Sequence, residues 1–396
     1  MKVVQINSVV NKGSTGHIVE DIGKLLKIEN NEAHVFYGRN SNKSDLQVHR
    51  IGNNLTVFFH YIISAIFDLH GKGSYFATKK MVKKLDEINP DIVHLHNIHG
   101  YYLNIDLLLK WLAKKNIPVV WTLHDCWLYT GHCAYYSFIG CDKWKNEKCK
   151  NCNNKKTYPK SYLFSNSYKN FCKKEQLITK IPNITFVTPS LWLKNELNMS
   201  YLKEYPCEVI NNGIDLDLFT ISDYTETPKS YILGCASIWE DRKGLKDFFK
   251  LSKIIDDKYL IVIIGLSEKQ LKGLPENIKG IGRTESQKEL ADWYSKSLVF
   301  FNPTYEDNFP TTNIESLACG TPVITYDTGG SPEILDENTG YVVEKGNIQS
   351  VYECIKNIQK NGKKYYNENC LNRAKKFYDK EERYKDYIEL YKSLLH

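Results

Sequence analysis

Apolar residues along this chain fall into short continuous runs that alternate with segments of helical spacing. The runs of the first half are Val3–Ile6, His34–Tyr37, Ile92–Leu95, Val119–Leu123 and Thr185–Thr188. Those of the second half are Tyr231–Gly234, Leu260–Ile264, Leu298–Phe301, Val323–Thr325 and Tyr341–Val343. A continuous apolar run, unlike an alternating one, is typical of a parallel strand that helices cover on both faces.

The segments between these runs have the spacing of amphipathic helices. Ile18, Ile22, Leu25 and Leu26 fall at positions i, i+4, i+7 and i+8 and form one apolar stripe. Strands that alternate with helices predict an α/β fold of two doubly wound, Rossmann-like domains facing across a cleft. Ligands of such sheets bind at the carboxyl ends of the strands.

A change in composition suggests where the two domains meet. The motif "NNGIDLDLF" gives way to the polar stretch "TISDYTETPKS" within residues 211–230. We therefore expect a first α/β domain over 1–210, with a cysteine-rich insertion at about 126–160, and a second α/β domain over 211–378. The last helix, 379–396, is expected to cross back to the first domain.

Composition and charge narrow the class of protein. Hydrophobic residues make up 42% of the 396 residues and charged residues 25%, and the net charge is +7. This mild basic excess does not indicate a nucleic-acid binder. The amino terminus lacks the pattern of a signal peptide, so we expect a cytoplasmic protein whose 11 cysteines are reduced or metal-bound.

The segment richest in candidate chemistry is "NPTYEDNFPTTNIESLACGTPVITYDTGGSPEIL", residues 302–335. Pro310, Thr311 and Thr312 open a short helix, and the amino end of a helix suits a diphosphate. The carboxylate of Glu315 in that helix can accept hydrogen bonds from two ribose hydroxyls. Glu306 and Asp307 stand in the loop before it, where a sugar would lie.

A glycine pair follows this helix. Gly329 and Gly330 allow the backbone to approach a ligand, and Ser331 and Pro332 suit the first positions of another helix. From the residues alone, an ordinary strand, loop and helix with exposed acids fits equally well.

The same segment resembles the donor-binding signature of the family 4 retaining glycosyltransferases, which have the GT-B fold. Their pattern is Glu, seven residues, Glu, then a helix that ends in "CGTPV", and the loop here is similar to that of capsule, colanic-acid and O-antigen members. The resemblance implies that Glu315 is the second acid. Seven intervening residues make Asp307 the first, one position after Glu306. Further donor contacts are implied for Asn308, Phe309, Pro310, Thr311 and Thr312.

Two other segments are candidates for binding the donor phosphates. In "CASIWEDRKGL", Arg242 and Lys243 could neutralise a departing diphosphate, although a solvated basic turn is the alternative. The family places its Arg and Lys five residues apart, so only Lys243 transfers directly and Arg242 is a substitute. In "NSVVNKGSTGHIV", Gly16 would face the donor phosphates. That segment lacks the dinucleotide fingerprint of a dehydrogenase.

Polar residues also follow two strands of the first domain. His124, at the end of "VVWTLHDCW", lies near the donor sugar if the resemblance holds, and a structural histidine is the alternative. After the strand in "DIVHLHNIHGYYLN", we expect acceptor contacts from Asn97, His99 and Tyr101. A metal site of histidines is conceivable there, but no carboxylate completes it.

The cysteine-rich insertion has the spacing of a zinc site. Cys133, Cys141, Cys149 and Cys152 are separated by seven, seven and two residues, and His132 could replace one ligand. Free thiols and disulfides are the alternatives, and the compartment disfavours disulfides.

Residues Leu55–Leu69 form the longest apolar run but are short of the roughly 20 residues that cross a bilayer. A helix packed within the first domain is the favoured interpretation. The alternative is a peripheral contact with the inner face of the cytoplasmic membrane, helped by Lys79, Lys80, Lys83 and Lys84.

Taken with the resemblance, these observations predict a retaining, metal-independent glycosyltransferase that needs no cofactor beyond a structural zinc. It would move a sugar from a nucleotide-sugar to a lipid-linked glycan acceptor in cell-surface polysaccharide synthesis. The alternatives are a non-hydrolysing sugar-nucleotide epimerase and a non-catalytic scaffold for glycan assembly.

Overall fold

A computed structural model describes residues 1–222 and 229–396, which form two compact units. Unit 1 comprises Met1–Ile210 and Tyr384–His396, and unit 2 comprises Asn211–Arg383. Part of the predicted polar junction, residues 223–228, lies outside the described residues.

Unit 1 is built on a sheet of seven parallel strands in the order β3-β2-β1-β4-β5-β6-β7. The strands are β1 Lys2–Asn7, β2 Glu32–Tyr37, β3 Gln47–Arg50, β4 Ile92–Leu95, β5 Val119–Thr122, β6 Ile184–Thr188 and β7 Cys207–Val209. The helices are α1 Gly13–Ile28, α2 Asn54–Phe67, α3 Tyr75–Ile88, α4 Ile105–Lys114, α5 Lys143–Asn146, α6 Ser167–Ile178 and α7 Leu191–Asn198. A short 3-10 turn spans Ser137–Ile139.

Unit 2 has a parallel sheet of six strands in the order β10-β9-β8-β11-β12-β13. The strands are β8 Ser230–Cys235, β9 Tyr259–Ile264, β10 Ile278–Ile281, β11 Val299–Asn302, β12 Val323–Tyr326 and β13 Gly340–Val343. The helices are α8 Leu245–Leu251, α9 Glu268–Leu271, α10 Gln287–Lys296, α11 Thr311–Ala318, α12 Ile348–Asn361 and α13 Lys363–Tyr378. Short 3-10 turns span Asp241–Lys243 and Pro332–Ile334.

The final helix, α14 Lys380–Leu395, contributes to the core of unit 1 from Tyr384 onward. Its inner face packs in one cluster with the apolar stripe of α1 and with β1. That inner face consists of Tyr384, Tyr387, Ile388 and Tyr391. The stripe predicted from the spacing of Ile18, Ile22, Leu25 and Leu26 is fully buried there.

The predicted doubly wound α/β class is confirmed in each unit, and each of the ten predicted apolar runs overlaps a strand. Three strands were not predicted: β3, β7 and β10, each at an edge of its sheet. These three strands have no continuous apolar run, and most of their residues are at least partly exposed, since an edge strand is covered less completely than a central one. Among the described residues, we find no helix long and apolar enough to cross a membrane.

Candidate active site

The sheet of unit 2 changes its direction of winding between β8 and β11, and the loops after these two strands carry charged side chains. Such a switch point leaves a crevice outside the carboxyl ends of the strands, where ligands of open α/β sheets bind. The turn after β8 provides Arg242 and Lys243, and the loop after β11 provides Glu306 and Asp307. The fold therefore brings together residues that lie more than 60 positions apart.

Direct contacts join these two loops. The ammonium group of Lys243 pairs with the carboxylate of Asp307. Arg242 donates from Nη1 to the backbone oxygen of Glu306 at 3.0 Å and from Nε to Glu240 at 3.0 Å. Glu306 is 3% exposed, whereas Asp307 is partly exposed beside Lys243. Asp307 is thus the acid that the structure places with the predicted phosphate-binding lysine.

The glycine pair of the sequence motif shapes the same loop. Gly329 has φ +54°, and a Cβ atom there would lie 1.7 Å from the backbone oxygen of Asp307. The N–H of Gly330 donates to the backbone oxygen of Asn308 at 3.1 Å. Because any side chain at position 329 would displace Asp307, this glycine is required for the loop's position.

Helix α11 begins directly after the loop, as predicted, and carries Glu315 in its second turn. Glu315 is partly buried, and the hydroxyl of Tyr294 donates to its Oε2 at 3.0 Å. Burial raises the pKa of Glu315 to about 7, against the opposing effects of hydrogen bonds from Tyr294 and Thr311. The carboxylate is therefore held in place but titrates near neutral pH.

The other predicted donor residues differ in their surroundings. Thr311 and Thr312 are partly exposed at the start of α11, where backbone N–H groups are free of intrahelical partners. Asn308 and Pro310 are buried. Phe309 is 4% exposed and packs on Tyr378 with ring centroids 6.0 Å apart, so its side chain belongs to the core of unit 2 and not to a ligand surface.

Ser331 does not cap a helix as the sequence suggested. The turn that begins at Pro332 is only three residues long, and Ser331 makes no capping hydrogen bond. Its Oγ is buried and has no hydrogen-bond partner among the described residues. A buried hydroxyl without a partner costs free energy unless a ligand or water satisfies it.

Unit 1 has a small pocket at the carboxyl ends of β4 and β5. The side chains that matter for its chemistry are His96, Asn97, His99, His124, Asp125 and Trp127. Three of the predicted site residues, Asn97, His99 and His124, therefore share this pocket. Tyr101 lies beside it in an aromatic group, with its ring centroid 6.2 Å from that of Tyr158.

A hydrogen-bonded chain sets the protonation of His124. Gln5 donates from Nε2 to the backbone oxygen of Val19 at 2.9 Å, which turns its Oε1 toward His96 Nε2 at 3.1 Å. His96 must donate to that oxygen, so its Nδ1 accepts from His124 Nε2 at 3.1 Å. The Nδ1 atom of His124 is consequently the unprotonated one. Burial lowers the pKa of His124 to about 4, which keeps the ring neutral.

A second chain orients His99. Its Nε2 lies 2.8 Å from Asp125 Oδ2, and its Nδ1 lies 3.0 Å from the hydroxyl of Tyr158. Asp125 accepts a further bond from the backbone N–H of Trp127 at 2.9 Å. The carboxylate fixes Nε2 as the donor, so Nδ1 accepts from Tyr158.

Gly16 is buried at the start of α1. A Cβ there would lie 3.2 Å from a methyl group of Val9 and 3.3 Å from the backbone nitrogen of Asn11, so the site favours glycine. That Gly16 faces the donor phosphates stays a prediction. The exposed part of the glycine-rich segment is 12–14, at the start of α1.

Within the described residues none of the 11 cysteines forms a disulfide, and this includes the four of the predicted zinc site. Cys133 and Cys152 are hydrogen-bonded, which lowers the pKa of Cys152 to about 6. Cys149 Sγ instead accepts from the N–H of Gly131 at 3.1 Å. In the described part of the chain, the one group of three or more side chains that could jointly hold an ion is Asp68, His70 and His132. None of the four cysteines belongs to it, and the four-cysteine site stays a prediction.

Helix α2 has its polar side inward. Its buried residues are His60, Ser64 and Ala65, whereas Leu55, Phe58, Phe59 and Phe67 are 44–66% exposed. The favoured interpretation, a helix whose apolar side chains pack within the domain, is wrong for these residues. Exposed aromatic residues continue onto the start of α3, with Phe76 at 84%, and onto the segment 162–164.

This exposed apolar surface is one continuous structure. The N–H groups of Tyr162 and Phe164 donate to the backbone oxygens of Ala65 and Ile66 at 2.7 and 3.1 Å. The rings of Phe67 and Phe164 stack with centroids 5.5 Å apart. We call residues 55–67, 75–76 and 162–164 the apolar patch.

Sequence reasoning missed several residues that the structure places at these sites. Gln5, Tyr294 and Tyr158 orient the predicted groups through hydrogen bonds. Gln5 carried a signal, because it is a polar residue within the apolar run of β1. Tyr294 carried none, since its role depends on how α10 packs against α11.

Two family descriptions match the sequence. "Glycosyltransferase Family 4" matches residues 16–218, and "Glycosyl transferases group 1" matches residues 221–377. WcaC of Escherichia coli (strain K12), a glycosyl transferase assigned to colanic acid biosynthesis, is 23% identical over 379 residues, which cover 90% of each chain.

Solved structures share the fold at low identity. Sucrose-phosphate synthase from Thermosynechococcus elongatus has a TM-score of 0.70 at 15% identity and covers 99% of this chain and 98% of its own. HepE of Anabaena in complex with UDP has a TM-score of 0.67 at 14% identity and covers 99% of this chain and 100% of its own. At this identity the likeness shows the fold alone.

Proposed function

Since the chain belongs to glycosyltransferase family 4, we propose that it transfers a sugar, with retention, from a nucleotide-sugar to a glycan acceptor of the cell surface. The observation that carries this proposal is the arrangement at the switch point of unit 2. There the Lys243–Asp307 pair, the start of α11 and Glu315 follow the carboxyl ends of β8 and β11, beside a glycine turn that positions the backbone of Asp307.

The groups of unit 2 suit the parts of a nucleotide-sugar. Lys243 and Arg242 carry the positive charge that a departing diphosphate needs, and the N–H groups at the start of α11 add to it. Glu315, once ionised, can accept hydrogen bonds from both ribose hydroxyls. The orphaned hydroxyl of Ser331 can donate to a phosphate oxygen.

The Lys243–Asp307 pair suggests how the site responds to a donor. Without ligand, each charge neutralises the other. A diphosphate would draw Lys243 away, and Asp307 would then be available to the sugar hydroxyls. Arg242 is held by Glu240 and by the backbone oxygen of Glu306, so it would assist from a fixed position.

The pocket of unit 1 supplies neutral hydrogen-bonding groups. The unprotonated Nδ1 of His124 can accept a hydrogen bond from a sugar hydroxyl, and Asn97 and His99 line the same pocket. No side chain is needed as a covalent nucleophile if the leaving phosphate takes the proton of the acceptor hydroxyl. The protein would then act by positioning and by stabilising charge, without a catalytic metal.

The assigned functions and bound ligands of similar proteins agree with transfer from a nucleotide-sugar. WcaC is assigned to colanic acid biosynthesis, and HepE has been solved with UDP-glucose. A polysaccharide acceptor and a nucleotide-sugar donor are therefore proposed for this chain too.

We further propose that the acceptor is lipid-linked and that the apolar patch rests on the cytoplasmic face of a membrane. The large apolar side chains Leu55, Phe58, Phe59 and Phe76 of the patch are exposed. So are Lys79, Lys80, Lys83 and Lys84 on the adjoining α3. Exposed aromatic residues beside lysines suit an anionic lipid surface.

The test of the proposed reaction starts with calorimetry of the purified chain against UDP, GDP, ADP, CMP and dTDP. The preferred nucleotide is then supplied as its sugar conjugates, with and without a lipid-linked acceptor from a polysaccharide-producing strain. We expect one nucleotide to bind selectively and its sugar to be transferred with retained anomeric configuration.

Two other results would contradict this proposal. Release of an isomerised sugar nucleotide without acceptor would mean an epimerase. Nucleotide binding with no turnover of any donor, in the presence of acceptor, would mean a scaffold.

The membrane contact has its own test. We expect the chain to sediment with vesicles that contain phosphatidylglycerol and to lose this association when Phe58 and Phe59 are both changed to Ser. The matched control is Phe377→Ser, which is 38% exposed on α13 in unit 2. Equal sedimentation of all three proteins would refute the contact.

A further inference from the structure

Three buried side chains of unit 1 aim their ligand atoms at one point. Asp68 Oδ1 lies 2.6 Å from His70 Nε2 and 2.7 Å from His132 Nδ1, and the two nitrogens are 3.3 Å apart. Asp68 and His132 are fully buried, and His70 is 4% exposed. We propose that Asp68, His70 and His132 form a binding site for a divalent transition metal, with zinc as the ion that suits them.

The first argument is charge. In the described chain, the only ion-pair partners of Asp68 are these two histidines. Its second oxygen, Oδ2, accepts from the backbone N–H of Asn166, which is a neutral group. A buried carboxylate without a cation is costly, and a bound dication removes that cost.

The second argument is hydrogen bonding. His70 Nδ1 and His132 Nε2, the nitrogens that point away from Asp68, are buried and have no partner among the described residues. If the inner nitrogens only donated to Asp68, the outer ones would be buried lone pairs without donors. With an ion between the three ligands, the outer nitrogens carry hydrogens. The hydrogen on His70 Nδ1 can be satisfied by water in the small cavity that this residue lines.

The ligand types narrow the identity of the ion. Two imidazoles and one carboxylate suit zinc, which takes nitrogen and oxygen ligands at about 2.0–2.2 Å. The two nitrogens, 3.3 Å apart, match the edge of a tetrahedron of that size, whereas Asp68 Oδ1, at 2.6 and 2.7 Å from them, would have to move outward to bind the same ion. Calcium and magnesium prefer all-oxygen sites and are not expected here.

The site would fasten separate parts of unit 1. Asp68 ends helix α2, and its Oδ2 accepts from the N–H of Asn166 at 2.7 Å, just before α6. His132 belongs to the cysteine-rich segment next to Cys133. A bound ion would thus hold that segment against the end of the helix that carries the apolar patch.

A second cluster of similar composition provides a matched control. His34 also contacts a carboxylate and a histidine, but through opposite ring nitrogens: Nε2 to Glu32 at 2.7 Å and Nδ1 to His49 at 3.1 Å. Its partners therefore cannot share an ion with one nitrogen of His34. Substitution of His34 should leave metal binding unchanged.

The experiment measures zinc in the full-length chain after chelator treatment, reloading with zinc chloride and desalting. We expect about one zinc per chain in the wild type. Asp68→Asn and His132→Gln should lower zinc affinity by more than about 100-fold, since even outer-shell changes cost 10–100-fold. His34→Gln and Cys141→Ser should bind zinc as the wild type does, and circular dichroism checks that each variant is folded.

Cobalt(II) substitution of the wild type keeps the inference testable if a variant fails to fold. Visible bands without sulfur-to-cobalt charge transfer would support a site of nitrogen and oxygen ligands. A strong sulfur-to-cobalt band would place the ion on the cysteines and overturn the inference. Stoichiometric zinc in Asp68→Asn, or no zinc in the wild type, would overturn it as well. These readouts do not depend on transferase activity.

Discussion

The two candidate sites differ in how they use charge. The site of unit 2 contains Arg242, Lys243 and Asp307 as charged groups, with Lys243 and Asp307 paired. The pocket of unit 1 contains neutral histidines, because burial lowers the pKa of His124 to about 4 and that of His96 well below its ordinary value. A site for a diphosphate needs mobile positive charge, whereas a site for sugar hydroxyls needs oriented donors and acceptors.

The two sites also differ in how they are held. In unit 2 the loops are positioned by close backbone contacts that only glycine permits, at Gly329 and Gly244. In unit 1 the side chains are positioned by other buried side chains, such as Gln5 behind His96. Substitutions in unit 2 should therefore affect donor binding directly, and those behind the unit 1 pocket should act on its protonation.

The largest effect is expected at Glu315. Glu315→Gln keeps the shape but removes the charged acceptor for two ribose hydroxyls, so kcat/KM should fall about 100-fold or more. Steady-state kinetics with the preferred donor measures this. The control Glu276→Gln changes an exposed acid of the same unit and should be silent. Near-normal activity of Glu315→Gln would remove this residue from the site.

A smaller loss is expected at Lys243. Lys243→Ala should weaken nucleoside-diphosphate binding about 10–100-fold, because it removes one charge-assisted contact and leaves Asp307 to repel the phosphates. Calorimetry measures it. Lys246→Ala, at the start of α8 with a side chain 82% exposed, is the matched control. Equal affinities for the two variants would mean that Lys243 is an ordinary surface lysine.

The neutral state of the His96–His124 pair can be changed by a substitution of Gln5, which lies behind His96. Gln5→Glu places a carboxylate against His96, which should raise the pKa of the linked His96–His124 pair. With saturating donor, kcat of the variant should fall about 10-fold relative to wild type between about pH 8 and pH 6. Nucleotide affinity should not change. Parallel pH profiles of kcat for the two proteins would contradict this positioning role.

The smallest expected effect is the pH dependence of donor binding. The pKa of Glu315 is about 7, above the ordinary value for Glu, so the ionised acceptor is lost as the pH falls through that value. Affinity for the nucleotide should therefore decrease about 4-fold from about pH 8 to about pH 6.5. Calorimetry across this range checks it. In Glu315→Gln the dependence should disappear, and its persistence would assign it to another group.

The interior of the fold was predictable and its margins were not. Continuous apolar runs such as Ile92–Leu95 predict central strands, because both faces of a central strand are buried. Gln47–Arg50 and Cys207–Val209 lie at sheet edges, where polar residues are tolerated, so no run marks them. The prediction that α2 packs within the first domain was wrong for a related reason. Apolar composition indicates that a helix face favours an apolar environment, but not whether the protein core or another surface provides it.

At the candidate sites, sequence gave the residues that follow strands and missed the residues that hold them. Glu315 and Lys243 lie in motifs with recognisable chemistry. Tyr294 and Tyr158 contact Glu315 and His99 across gaps of 21 and 59 positions, and only packing brings them there. The contact between Asp68 and His132, 64 positions apart, was missed for the same reason.

The last part of unit 1 to be synthesised comes after the whole of unit 2. Tyr384, Tyr387 and Ile388 of α14 complete an otherwise open face of the unit 1 core, and the hydroxyl of Tyr391 lies 2.6 Å from His94 Nδ1. Domains generally fold in order as they leave the ribosome. Here the amino-terminal unit stays incomplete until unit 2 has been translated, so a nascent chain would expose the apolar stripe of α1 for that time. Because α14 packs on unit 1 only after unit 2 has been synthesised, we expect chaperones to bind the nascent chain during that interval.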